Sequence, residues 1–107
     1  MTESTSTPLE ITIDRGDDGV TLVVRGEIDL ESSAALADAL ATMVSPHHVS
    51  LDLTDVAYMD STGLRTILVA KEDIERGGGT LGISAASNIV ARLVEITGVD
   101  GLLTASD

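Results

Sequence analysis

Asp60-Ser61-Thr62-Gly63 sets an acid, two hydroxyls and a glycine at a change of period. Upstream, Val49-Ser50-Leu51-Asp52-Leu53 alternates apolar and polar residues as a strand does. Downstream, Leu64, Ile67, Leu68, Lys71 and Ile74 recur at helical spacing, with Lys71 able to lay its stem along the apolar face. The cluster therefore stands at a helix start, where side-chain oxygens accept bonds from the orphan N–H groups of the first turn. Capping alone would account for Asp60, Ser61 and Thr62. The same placement suits a hydroxyl that carries a phosphate, because unpaired N–H donors and the positive end of the helix dipole both hold an anion. Arg65 lies four residues beyond Ser61, one turn on, and could pair with such a phosphate, with Asp60 or with solvent.

Other chemistries find less support. His47 and His48 are adjacent, so on a strand they point to opposite faces, and no further His or Cys completes a metal site. Gly77-Gly78-Gly79 lacks the lysine and strand-loop-helix context of a phosphate cradle. A hydrolase elbow needs Gly-x-Ser-x-Gly and a histidine partner, and Ser61 is flanked differently. Thr62 interrupts the Asp-Ser/Thr-Gly of an aspartic protease. A receiver domain needs a late lysine, and the last here is Lys71. An acyl carrier protein would be all-helical, against the alternating runs at 9–13 and 20–25. No enzyme activity and no cofactor are expected.

The elements that must hold the cluster fit one domain. The chain has 107 residues, of which 43% are apolar and only Tyr58 is aromatic, so the core must be aliphatic. There are no cysteines, which removes disulfides and thiol chemistry. Eighteen acids against six bases give a formal charge of −12, a surface that repels nucleic acid and anionic lipid and favours a basic partner face. No apolar run approaches the ~18 residues of a membrane span, and the first residues do not read as a signal peptide. A cytoplasmic location is expected.

Residues 1–8 read as a flexible polar tail and residues 9–107 as a single domain. Leu9–Ile13 and Val20–Arg25 predict two strands, joined by the turn residues Arg15-Gly16-Asp17-Asp18-Gly19 into a hairpin. Gly26-Glu27-Ile28-Asp29 closes the second strand. Leu36, Leu40, Met43 and Val44 mark a helix from about Leu30 to Ser45, capped by Asp29, Ser32 or Ser33. The third strand and the central helix follow, and the glycine run ends that helix. Thr80–Ser84 predicts a fourth strand. Ser84 or Ser87 starts a third helix stopped by Gly98, and Leu102-Leu103-Thr104 a short last strand. The order β-β-α-β-α-β-α-β implies an α/β domain, a mostly parallel sheet of about five strands with an initial antiparallel strand and right-handed crossovers.

The stretch D-L-T-D-V-A-Y-M-D-S-T-G-L at 52–64 resembles the signature of the STAS domain, in particular that of bacterial anti-sigma factor antagonists. G-E-I-D at 26–29 is similar to the family's G-E-L-D, and L-V-E-I-T-G-V at 93–99 to its L-x-x-x-G-L/V ending. The likeness runs from Leu9 to about Thr104. Where members often carry Pro near the start of the third helix, this chain has Ala86-Ser87-Asn88. The resemblance implies a phosphorylation site at Ser61, with Thr62 the rival. It implies binding, when unphosphorylated, to an anti-sigma factor that is also an ATP-dependent serine kinase, and resetting by a PP2C-type serine phosphatase. Partner contacts are expected from Glu27, Asp29, Asp60, Ser61, Thr62, Gly63 and Arg65. A monomer is expected. STAS-like domains also serve as accessory subunits of lipid-transport ATPases, which is the alternative role.

Overall fold

A computed structural model of the chain describes residues 9–17, 19–43 and 48–98. Strands β1 (Glu10–Arg15), β2 (Val20–Ile28), β3 (His48–Met59) and β4 (Thr80–Ala86) form a sheet in the order β1-β2-β3-β4. The hairpin pairs β1 and β2 antiparallel, from Glu10 opposite Arg25 to Arg15 opposite Val20. The pairs β2–β3 and β3–β4 are parallel. Helices α1 (Ser33–Ala41) and α2 (Ser61–Arg76) make the crossovers from β2 to β3 and from β3 to β4, and α3 (Asn88–Thr97) follows β4. The expected α/β architecture is therefore present. Among the described residues the sheet has four strands rather than about five; the expected last strand at 102–104 lies outside them, as do the tail at 1–8 and His47.

Strand β2 buries Val20, Leu22, Val24, Gly26 and Ile28 in strict alternation, so one face meets the core and the other remains open. The helices contribute Leu36 and Leu40, Leu64, Ile67 and Ile74, and Val90 and Val94 to one aliphatic cluster with the strands. Ile11 and Leu9 support it from the sheet edge. Buried aliphatics of this size each stabilise the fold by about 1.5–3 kcal/mol.

Two boundaries differ from the sequence reading, each for a local reason. Strand β3 continues six residues past Leu53, because its inward side chains change spacing. Val49, Leu51 and Leu53 alternate, but the next buried positions are Val56 and Met59. Register shifts between Val23/Arg25 and Gly26/Glu27 let β3 place extra residues opposite β2. Helix α1 is shorter than Leu30–Ser45, because Leu30 to Ser32 are spent in a turn tied to Asp29. It closes with the Thr42 hydroxyl donating to the Ala39 carbonyl, 2.7 Å.

Candidate functional site

The carboxyl ends of β2 and β3 are neighbours, with Ile28 opposite Met59 and the Asp60 N–H donating to the Ile28 carbonyl at 3.2 Å. Crevices outside such strand ends are where open parallel sheets bind partners and ligands. Asp29 and Asp60 leave the two strands side by side. The sheet thus brings together two segments that are 31 residues apart in sequence, counted from Asp29 to Asp60.

Asp60 is the N-cap of α2. Its backbone is extended (φ −104°, ψ −176°), and its Oδ1 accepts the Gly63 N–H at 3.0 Å while its carbonyl accepts that of Leu64 at 3.1 Å. Capping is therefore done by Asp60. Ser61, the first helical residue, is exposed and its hydroxyl makes no hydrogen bond among the described residues. The N–H groups of Ser61 and Thr62 have no acceptor one turn earlier in the helix. Thr62 is half-buried, and its carbonyl accepts from the Thr66 hydroxyl at 3.0 Å. Replacing Asp60 with Ala should cost about 1 kcal/mol, lowering the melting temperature by ~4–8 °C. Asp60→Asn should recover most of the loss in a thermal melt.

Gly63 is the contact that closes this end. A Cβ there would lie 2.6 Å from Ile28 Cγ2, 2.9 Å from Met59 Cγ and 3.1 Å from the Ile28 carbonyl oxygen. Only a glycine lets the first turn of α2 sit directly on the ends of β2 and β3.

Asp29 is held by Ser32. Its Oδ1 accepts the Ser32 N–H at 2.9 Å and lies 3.0 Å from the Ser32 hydroxyl, while the Asp29 N–H donates to Ser32 Oγ at 2.9 Å. The Ser32 hydroxyl also reaches the Glu27 carbonyl at 2.7 Å. The Ser32 N–H, then its hydroxyl, hold the Asp29 carboxyl below its ordinary value of 3.8. The folded state thus favours the carboxylate. Its contribution to stability is complete above the unfolded value and is lost as pH falls through the folded one. Ser32→Ala should raise the Asp29 pKa, a shift readable in an NMR titration of the side-chain carboxyl. At neutral pH the rim carries fixed negative charge.

The other expected residues are placed differently. The Glu27 side chain alternates away from buried Gly26 and Ile28 onto the open face, where its register partner is Tyr58. Its carbonyl, rather than its carboxylate, serves the Asp29 turn. Arg65 is exposed on α2 and makes no ion pair among the described residues, neither with Asp60 nor with Asp29. Lys71 lies half-buried and pairs with Glu75. Ser33 takes no part as a cap and donates to the Leu30 carbonyl at 3.1 Å. His48, at the far end of β3, has Nδ1 2.5 Å from Thr80 Oγ1.

Ser32, expected as a candidate cap, makes no side-chain cap bond and instead organises the Asp29 turn. Two further residues of this end were not singled out by spacing. Leu30, 74% exposed, and Tyr58, 44% exposed, put apolar surface beside the acids. The signal for Leu30 was an isolated leucine directly after the strand-closing acid, at a position where no helical face yet exists.

The fold and the residues at its strand ends define a class: this chain belongs to the STAS domain family, whose "Mlab, STAS domain" description matches residues 11–104. Among individual proteins, the anti-sigma-B factor antagonist of Listeria monocytogenes serovar 1/2a is 33% identical over 92 residues, covering 84% of this chain and 81% of the relative. The anti-sigma-B factor antagonist of Bacillus subtilis strain 168 is 27% identical over 99 residues, covering 92% and 91%. In structure, an anti-sigma factor antagonist from Mycobacterium paratuberculosis superposes with a TM-score of 0.79 at 27% identity, covering 89% of this chain and 82% of that one. No described helix is long and apolar enough to cross a membrane.

Proposed function

We propose that this protein is an anti-sigma factor antagonist whose binding to an anti-sigma serine kinase is ended by phosphorylation of Ser61. The observation that carries this reading is the division of labour at the start of α2. Asp60 supplies the cap, so the exposed Ser61 hydroxyl has no hydrogen bond among the described residues and stands beside helix-start N–H groups that have no acceptor one turn earlier. The names of the relatives support the antagonist role. Thr62, half-buried, is the poorer acceptor.

In the unmodified state the partner docks on the strand-end rim. Asp29, Asp60 and the first turn, Ser61, Thr62 and Gly63, make its centre, Glu27 its outer side and Arg65 its lower edge. Leu30 and Tyr58 supply the apolar anchors that such interfaces rely on. The γ-phosphoryl group of ATP then passes to Ser61 Oγ, releasing ADP and the hydroxyl proton. The product adds about −1.5 to −2 charge beside Asp60. Within the domain the helix N-terminus stabilises that charge. Against the partner it brings steric bulk, lost hydroxyl contacts and a charge that must be desolvated. A PP2C-type phosphatase restores the serine.

The test is intact-mass spectrometry of the protein incubated with ATP and the small ATP-binding anti-sigma kinases of its host, with peptide mapping over residues 56–71. A phosphate on Ser61, absent in Ser61→Ala and accompanied by release of the kinase, is the expected result. No modification, together with co-purification of a transport ATPase, would overturn it in favour of an accessory-subunit role.

A further inference from the structure

A trough of about 680 Å³ runs between α1 and α2 on the solvent side of the core. Its volume is that of a small-ligand site. The space exists because the facing positions are small: Ala37 and Ala41 on α1, Ala70 on α2, and Gly77 and Gly79 beyond it. Leu40, Met43 and Ile74 line it, each nearly closed to water, and Val69 stands on its wall 49% exposed.

The charged side chains lining the trough are Arg65, flanked by Thr62 and Thr66, and the acids Asp38 of α1 and Asp73 of α2. Of the six bases, Arg25, Lys71 and Arg76 each have a carboxylate partner, and Arg15, Arg65 and Arg92 have none among the described residues; of these three only Arg65 lines the trough. The Thr66 hydroxyl is committed to the Thr62 carbonyl, whereas the Thr62 hydroxyl makes no bond among the described residues. Further along α2 comes Asp73, already paired with Arg76 at 3.0 Å. Nine residues separate Arg65 from Ile74, about 14 Å along the helix.

We infer that this trough binds a free alkyl carboxylate of medium chain length. Its head accepts bonds from the Arg65 guanidinium and the Thr62 hydroxyl, and its chain runs over Val69, Ala70 and Ile74 towards Met43. One guanidinium and one hydroxyl match a single monoanionic carboxylate. The head is placed at Arg65 because that guanidinium has no carboxylate partner among the described residues, whereas Arg76, beyond the other end, is already held by Asp73. Binding here does not depend on Ser61 being a phosphorylation site.

The probe is decanoate below its micelle concentration, titrated into the whole protein and followed by amide NMR shifts. Saturable shifts concentrated on Ala37, Leu40, Val69 and Ala70, with a dissociation constant below ~1 mM, are expected. Arg65→Gln should weaken binding at least tenfold, and Val69→Glu should abolish it; amide spectra of the free variants confirm that both fold. Decyltrimethylammonium, with the same chain and a cationic head, should bind at least tenfold more weakly. No saturable shift, equal affinity for Arg65→Gln, or equal binding of the cationic probe would overturn the assignment.

Discussion

Phosphorylated protein is expected to bind the anti-sigma kinase at least ~100-fold more weakly than unmodified protein, because the phosphate replaces the Ser61 hydroxyl contacts, adds bulk to a fitted surface and must be desolvated at the interface. Ser61→Ala should keep binding and lose regulation. Ser61→Glu, with one negative charge on a different stem, should fall between them. The added charge meets Asp60 at once and the Ser32-fixed carboxylate of Asp29 at the neighbouring strand end. A thermal melt separates this mechanism from release by local unfolding. A phosphate at the helix N-terminus contributes about 0.3–1 kcal/mol in favour of the fold, so the melting temperature should hold or rise. A fall of several degrees alongside release would mean that the modification melts the start of α2 instead.

Gly63→Ala should destabilise the domain by about 1–3 kcal/mol and weaken partner binding at the same time. The sign is what makes the measurement informative. In an ordinary helical position, replacing Gly by Ala gains about 1 kcal/mol through helix propensity. Here the new methyl would stand 2.6 Å from Ile28 Cγ2 and 2.9 Å from Met59 Cγ. The Ile28 carbonyl, 3.1 Å away, already holds the Asp60 N–H and cannot withdraw without breaking the link between β2 and α2. Relief must come from α2 lifting off the strand ends, which moves Ser61 relative to Asp29. Gly63→Val should do more of both. A raised melting temperature for Gly63→Ala would refute this account.

The strands, the start of α2 and the glycine stop of α3 could be read from the sequence because each rests on neighbours in the chain. Alternation set β2, the Asp-Ser-Thr-Gly cluster set the helix start, and Gly98 at φ 73° ends α3 as its lack of a side chain allows. What was hidden depends on pairing. The far half of β3 was missed because its inward residues step by three where extra residues bulge, and no two-residue pattern survives that. The length of α1 was overestimated because alanines satisfy a helical period without saying where it starts. Glu27 and Asp29 share a sequence run, but Glu27 lies within β2 and Asp29 just past its end in the turn held by Ser32, a boundary that the run itself does not mark. The trough depends on small side chains from two helices facing each other, and composition alone does not show which of many alanines do so.

The placement of Tyr58 has an optical consequence. The chain contains no tryptophan and no phenylalanine, so its near-ultraviolet absorbance and its intrinsic emission come from one phenol. That phenol stands half-open to water where β3 ends, two residues before the cap of α2. Most proteins blend signals from many rings spread through a core, whereas here a single native chromophore reads one patch of surface. Quenching, anisotropy and near-ultraviolet dichroism of the unlabelled protein therefore report on the strand-end rim and nothing else.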